Sequence, residues 1–195
     1  MLFRSYPSST TAGDAHTFTV TARDAYGNTA TNYDGTIHFS SNDTSTVASL
    51  PPDSTLTNGV GTFSATLVTA GTRFITVTDT ASGVAGTEGG ILVNPGAAVG
   101  FMVQVLQDPV TAGNPDMVFV TAVDRYGNRG APYTGTVHFR SSDGAADLPS
   151  NYQFTTGDHG SKVFGLTFRT RGRQTVTVTD TLDPSITGSG GADVV

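Results

Sequence analysis

The sequence predicts an all-β protein built as two tandem β-sandwiches of about seven strands each. Three observations predict it. The chain is written twice, its apolar residues recur with a period of two, and Gly, Pro, Asn and Asp cut it into short runs.

The repeat comes first. Residues 11–43 read TAGDAHTFTVTARDAYGNTATNYDGTIHFSSND, and residues 111–143 read TAGNPDMVFVTAVDRYGNRGAPYTGTVHFRSSD, aligned without a gap. Beyond this block the register slips: Leu50-Pro51 answers Leu148-Pro149, and TVTDT at 76–80 answers TVTDT at 177–181. Insertions confined to the middle are what loops between fixed strands tolerate. The expected domains are 1–95 and 98–195, joined by a tight linker near 94–100, NPGAAVG.

Within each copy Phe18, Val20 and Ala22 alternate with Thr17, Thr19 and Thr21, and Ile37 and Phe39 alternate with Thr36 and His38. Phe63, Ala65 and Leu67 answer Phe164, Leu166 and Phe168, and Ile75 and Val77 answer Val176 and Val178. Such alternation means one buried wall and one wet wall. A first strand near 2–6 or 101–106, a short one near Leu56 or Phe154, and a last one near 91–93 complete about seven. No 12-residue window carries helical spacing, so helices are expected to be rare.

Composition excludes several function classes. Net charge is −6 and Lys162 is the only Lys, so a nucleic-acid partner is not expected. With no Cys there are no disulfides and no thiolate metal sites. No 18-residue apolar run exists, so membrane insertion is not expected. MLFRSYP is too short and too polar for a signal peptide, and an exported protein would make this a piece of a longer chain.

The pentapeptide DAYGN at 24–28 returns as DRYGN at 124–128. Asp24 and Asp124 are expected to cap backbone N–H groups of an Asx-turn. Gly27, Asn28, Gly127 and Asn128 are expected to supply positive φ, and the Tyr ring to cover the end of the core. The block TAGDAHTFTVTARDAYGNTATNYDGTIHF, its partner in the second copy and the later run LPSNYQFTTGDHGSKVFGLTFRTRGRQTVTVTDT resemble bacterial immunoglobulin-like repeats of the invasin-like, filamin-like kind, over nearly the whole chain. The resemblance implies two immunoglobulin-like sandwiches within a larger secreted or surface-anchored bacterial protein. It implies neighbouring repeats as partners, and a host protein, cell-surface protein or glycan as a ligand.

Catalysis has little to stand on. The four His are scattered, His38 and His138 share one outward strand position, and no nucleophile elbow, phosphate loop or zinc helix is present. No enzyme is expected. Calcium is the one cofactor to weigh, with Asp180 and Asp183 as its best ligands, although their spacing is not that of an ordered calcium loop. Arg169, Arg171 and Arg173 form a basic strip that an acidic glycan would fit, or a solvated face. The role expected is a non-catalytic structural or adhesive spacer, extracellular or at the cell surface. The alternatives are a carbohydrate-binding accessory module and a self-assembling, edge-pairing module. A last expectation concerns the seam: Arg125 and Arg129 replace Ala25 and Thr29, and are expected to meet the linker or Asp14 and Asp43 of the first copy, contributing about 0–1 kcal/mol.

Overall fold

The computed structural model describes Leu2–Arg4 and residues 6–195; Ser5, inside the first strand expected over 2–6, lies outside the described residues. Contacts divide the chain into two compact units, one ending at Asn94 and one beginning at Pro95. Among the described residues the only helical segment is a 3-10 turn at Thr156–Asp158.

The first unit holds β1 (Leu2–Arg4), β2 (Ser9–Thr11), β3 (Ala15–Thr21), β4 (Thr36–Ser41), β5 (Ser54–Thr55), β6 (Val60–Thr66), β7 (Gly71–Asp79) and β8 (Ala85–Asn94). One sheet runs β1-β3-β6 and the other β2-β8-β7-β4-β5. The second unit holds β9 (Gly100–Val105), β10 (Asp116–Val123), β11 (Thr136–Ser141), β12 (Tyr152–Gln153), β13 (Ser161–Leu166), β14 (Gly172–Asp180) and β15 (Thr187–Val194). Its sheets run β13-β10-β9 and β12-β11-β14-β15. Each unit is an immunoglobulin-like sandwich. Period-two alternation sets the registers. Phe39 pairs with Val77 and Phe139 with Val178, all four buried, while His38 and His138 face outward.

Two features were not legible as single strands. The incoming segment splits: β1 pairs with β3, and then, past Pro7, the chain crosses sheets so that β2 runs parallel to β8, Ser9 opposite Leu92 and Thr11 opposite Asn94. In the second unit the crossing follows Pro109, and Val110 bridges Val194 in parallel. Proline has no N–H to give a ladder, so the pairing breaks where it stands. The second feature is the short strand expected at Leu56 and Phe154. It is two residues long in each unit, β5 and β12, paired to β4 and β11, and the apolar residue after it drops into the core.

The cores carry their aromatics at different places. In the first, Phe18 meets Phe39 and Phe63 with centroids 5.9 and 6.1 Å apart, and Tyr6 packs on Phe18 at 6.0 Å. In the second, Val118 stands where Phe18 does, and Phe154 takes the place of Leu56, ringed by Phe101, Tyr133, Tyr152 and Phe164. Phe74, 40% exposed, lies where β7 and β8 lose register. Between Arg73–Ile91 and Ile75–Glu88 the register slips, and Gly90 adopts φ +72° to make the slip.

Lys162, the only Lys, lies within β13, its side chain on the core side of that edge strand. Its ammonium is 2.9 Å from Asp158 and 4.7 Å from the centre of the Tyr152 ring.

Each unit also closes its far loop with a tyrosine. The Tyr33 hydroxyl donates to Asp79 and the Tyr133 hydroxyl to Asp180. Gly35 and Gly135 are glycine for this reason. A Cβ at Gly35 would stand 2.6 Å from the Tyr33 hydroxyl, and one at Gly135 would stand 2.7 Å from Cζ of Tyr133 and press on the Asp180 carboxylate. Gly135→Ala is therefore expected to destabilise the second unit by about 1–3 kcal/mol. Tyr133→Phe, which leaves a buried carboxylate short of one donor, is expected to cost about 1–2 kcal/mol. Urea unfolding of each variant against the parent checks both; unchanged midpoints would mean the pair is incidental.

Candidate functional site

The loops are organised by three aspartates per copy, and Asp24, Asp43, Asp124 and Asp180 among them were singled out from sequence. The first is the pentapeptide. Asp24 Oδ1 accepts the N–H groups of Tyr26 at 2.9 Å and Asn28 at 2.8 Å, and Asp124 Oδ1 does the same for Tyr126 and Asn128, both at 2.9 Å. Gly27 and Gly127 sit at φ +86° and +80°. Asn28 and Asn128 do not share positive φ. Their work is in the side chain, whose amide donates to Oδ2 of Asp24 at 3.1 Å and of Asp124 at 2.8 Å. The ring expected to cover the core also differs, for Tyr26 is 91% exposed.

The two turns differ in their outer partners. In the first, Arg23, where the second copy has Val123, donates to the Gly27 carbonyl. Asp124 Oδ2 also accepts the N–H of Gly96 at 2.8 Å. Asp124 and Asn128 are accordingly buried, whereas Asp24 and Asn28 are exposed. Both carboxyls lie below the usual carboxylate range. For Asp24 the largest cause is the Asn28 side-chain amide. For Asp124 burial pushes the other way and is outweighed by Asn128, Gly96 and Tyr126 together.

The second aspartate is Asp43 or Asp143. Asp43 is buried, and its Oδ2 accepts the N–H groups of Val68 at 2.6 Å and Thr69 at 2.9 Å while its Oδ1 takes the Thr69 hydroxyl. Asp143 repeats this with Arg169, Thr170 and the Thr170 hydroxyl. The Asp43 carboxylate is thus spent on its own unit, and of the two acids expected to meet Arg125 or Arg129 only Asp14 stands exposed. The Arg125 guanidinium lies over the Tyr126 ring, 4.7 Å from its centre. Arg129 is exposed in a bridge with Val123.

The third is Asp79 or Asp180, beneath the tyrosine. Asp180 Oδ1 accepts the N–H groups of Leu182 at 2.6 Å and Asp183 at 2.8 Å, and Oδ2 accepts Tyr133. Asp183 Oδ1 accepts the N–H and hydroxyl of Ser185. Asp180 and Asp183 therefore share one loop, with Oδ1 of each turned onto that loop's own donors. Among the described residues no group of three His, Asp or Glu stands together. Tyr33 and Tyr133 are pushed well above the usual phenol range, first by burial and then by their aspartates.

Several other charged residues are paired on the surface. Arg169 meets Asp147, Arg173 lies 2.9 Å from Asp108 and 3.5 Å from Asp193, and His38 lies 2.7 Å from Asp53. The expected basic strip is thereby largely neutralised at both of its ends. A depression on β11 and β14, lined by His138, Arg140, Thr177 and Thr179, carries no Tyr or Phe.

One feature was missed from sequence. On the outer face of β9-β10-β13, Met117 is 55% and Val163 45% exposed, with half-buried Phe119 opposite Val163. The same positions in the first copy are Thr17, Thr62 and Thr19. Aligning the strand faces, rather than scanning for lone aromatics, would have found this apolar stripe.

No family model matches the chain, and no curated protein matches it. Among solved structures it is similar to the Escherichia coli adhesin FdeC (17% identity, 100% of this chain and 63% of that one, TM-score 0.44). It is also similar to the Yersinia pseudotuberculosis adhesin InvE (18% identity, 99% and 57%, TM-score 0.40). A β-glycosidase from Bacteroides vulgatus is similar as well (14% identity, 99% and 24%, TM-score 0.45). The chain spans less than two thirds of the length of each.

Two outcomes follow for the aspartates. Backbone donors hold Asp143 at about 2 against the opposing effect of burial, and Tyr33 above all holds Asp79 at about 2. A depressed carboxyl contributes stability above its unfolded value of about 4, and that stability is lost as pH falls through the folded value. The melting temperature is expected to hold down to about pH 4 and to fall steeply toward about pH 2, with Asp143→Asn lower at neutral pH and flatter in acid. A parallel drop in parent and variant would show that Asp143 plays no part. For calcium, about 5 mM EDTA is expected to leave the melting temperature unchanged. A ligand at 100 times its dissociation constant would contribute about 2.7 kcal/mol, so its removal would be visible.

Proposed function

We propose that the chain is a non-catalytic structural and adhesive segment of a larger extracellular or cell-surface bacterial protein, its two sandwiches acting as spacing units that carry tension. The observation that supports this reading is the parallel pairing of incoming and outgoing strands. β2 runs parallel to β8, and in the second unit three backbone bonds of 2.9 Å tie residues 110–112 to residues 193–195. Tension applied through the two ends of a unit pulls parallel neighbours in opposite directions along their axes. All their hydrogen bonds are then strained together, whereas antiparallel neighbours pulled apart at a hairpin lose one bond at a time.

Two further observations fit. Polar side chains in the loops are turned on their own backbone in both copies, which leaves rigid loops rather than a reactive cleft. The Met117, Phe119 and Val163 face, absent from the first copy, is where the adhesive part of the reading falls, since exposed apolar stripes on a small domain mark contact surfaces. Neighbouring repeats and a protein on a host or cell surface are the partners this reading names.

Single-molecule pulling from the chain ends tests it. Two unfolding steps are expected, each releasing roughly 30 nm for about 95 residues at 3.3–3.6 Å per residue. The chain has no Cys, so handles can be moved cleanly. With Arg171→Cys and Val195→Cys as handles, at the open end of the hairpin where Gly172 pairs with Val194, β14 and β15 peel apart and the second unit is expected to yield at a clearly lower force. Equal forces in the two geometries would remove the tension-carrying role.

A further inference from the structure

Asp24, Asn28 and Tyr26 form an exposed turn whose twin in the same molecule is occupied. In the second unit the segment leading into β9 lies on the DRYGN turn. Gly96 donates to Asp124 Oδ2 at 2.8 Å, Val99 donates to the Val123 carbonyl at 2.8 Å, and Ala98 packs on the core. Asp124 is 2% and Asn128 8% exposed. In the first unit the same turn is built with the same internal bonds, yet both residues are exposed and Tyr26 stands 91% in solvent.

The strands that follow are in the same register. Leu2 pairs with Thr21 as Met102 pairs with Thr121, so β1 lies beside β3 in the register in which β9 lies beside β10. Gly96 is the fifth residue before Phe101, the counterpart of Met1. We propose that the Asp24–Asn28 turn is a docking site for an extended Pro-Gly segment leading into β1. It would receive that segment's glycine N–H on Asp24 Oδ2, as Asp124 receives Gly96.

The chemistry selects the occupant. The acceptor is a carboxylate oxygen that already holds the Asn28 amide, so it needs one further N–H donor. Glycine suits a backbone that must approach a turn closely, and the preceding proline favours the extended path. The second copy of the motif thus acts as a linker clamp, and the first carries the same acceptor on the same turn. The inference rests on the comparison of the two turns and is independent of the tension-carrying role.

The test is to fuse Asn-Pro-Gly-Ala-Ala-Val-Gly, the residues of 94–100, directly ahead of Met1 in the full chain, and to follow amide exchange by NMR. The expected result is a fused glycine amide slowed by about tenfold or more relative to a free peptide, with Gly96 as the internal standard. Asp24→Ala should return it to the free rate while Gly96 stays protected. A second variant places Pro for that glycine in the fused segment, which removes the donor without touching the turn. It should return the Asn28 side-chain amide signals to their positions in the unfused chain. A fused glycine that exchanges at the free rate while Gly96 is protected overturns the proposal, as does an Asn28 signal indifferent to the Gly-to-Pro change.

Discussion

Backbone N–H groups in a loop must find acceptors once the loop is pulled against a core, and here short carboxylates supply them. Each copy has about a hundred residues, no disulfide and a thin two-layer core, so its loops cannot be left to water or to covalent staples. Asp43 and Asp143 hold the loops entering β7 and β14, Asp79 and Asp180 hold those leaving them, and Asp24 and Asp124 hold the turns after β3 and β10. With the loops set, the strand registers follow, and the parallel closure of β2 on β8 becomes possible. An acidic chain with one lysine is then a structural statement, because much of its acid faces inward on amides.

That arrangement explains what could be read beforehand. Alternation gave away the strands because each has one dry and one wet wall, and the repeat gave away the two sandwiches because equivalent residues must do equivalent work. The Asx-turn was legible since Asp, Gly and Asn each have a local job. What stayed hidden depends on distant partners. Nothing near Asp180 announces that Tyr133, 47 residues earlier, will reach it, and Gly135 looks like an ordinary turn glycine until both groups are in place. Asn28 was assigned a dihedral role when its side chain held the turn instead. Two-residue strands such as β5 have no periodicity to show.

The site followed the same division. Asp180 and Asp183 were brought to one loop, where Oδ1 of each accepts that loop's own N–H groups. Met117 and Val163 were passed over because each is unremarked alone, and only strand pairing sets them beside Phe119. The difference between copies is more informative than either copy, as it separates residues the fold demands from residues it merely permits.

The displaced aromatics bear on how such a chain reaches its structure. Neighbouring near-copies on one polypeptide are prone to exchange strands as they emerge and collapse. Were the third strand of one copy to pair into the other, Phe18 would meet Phe154 over the same phenylalanine, while Val118 and Leu56 would be left facing a void. Overpacking on one side and a cavity on the other each cost on the order of 1–3 kcal/mol. Strand exchange is penalised twice, so each copy keeps to its own core through the pattern of its largest side chains.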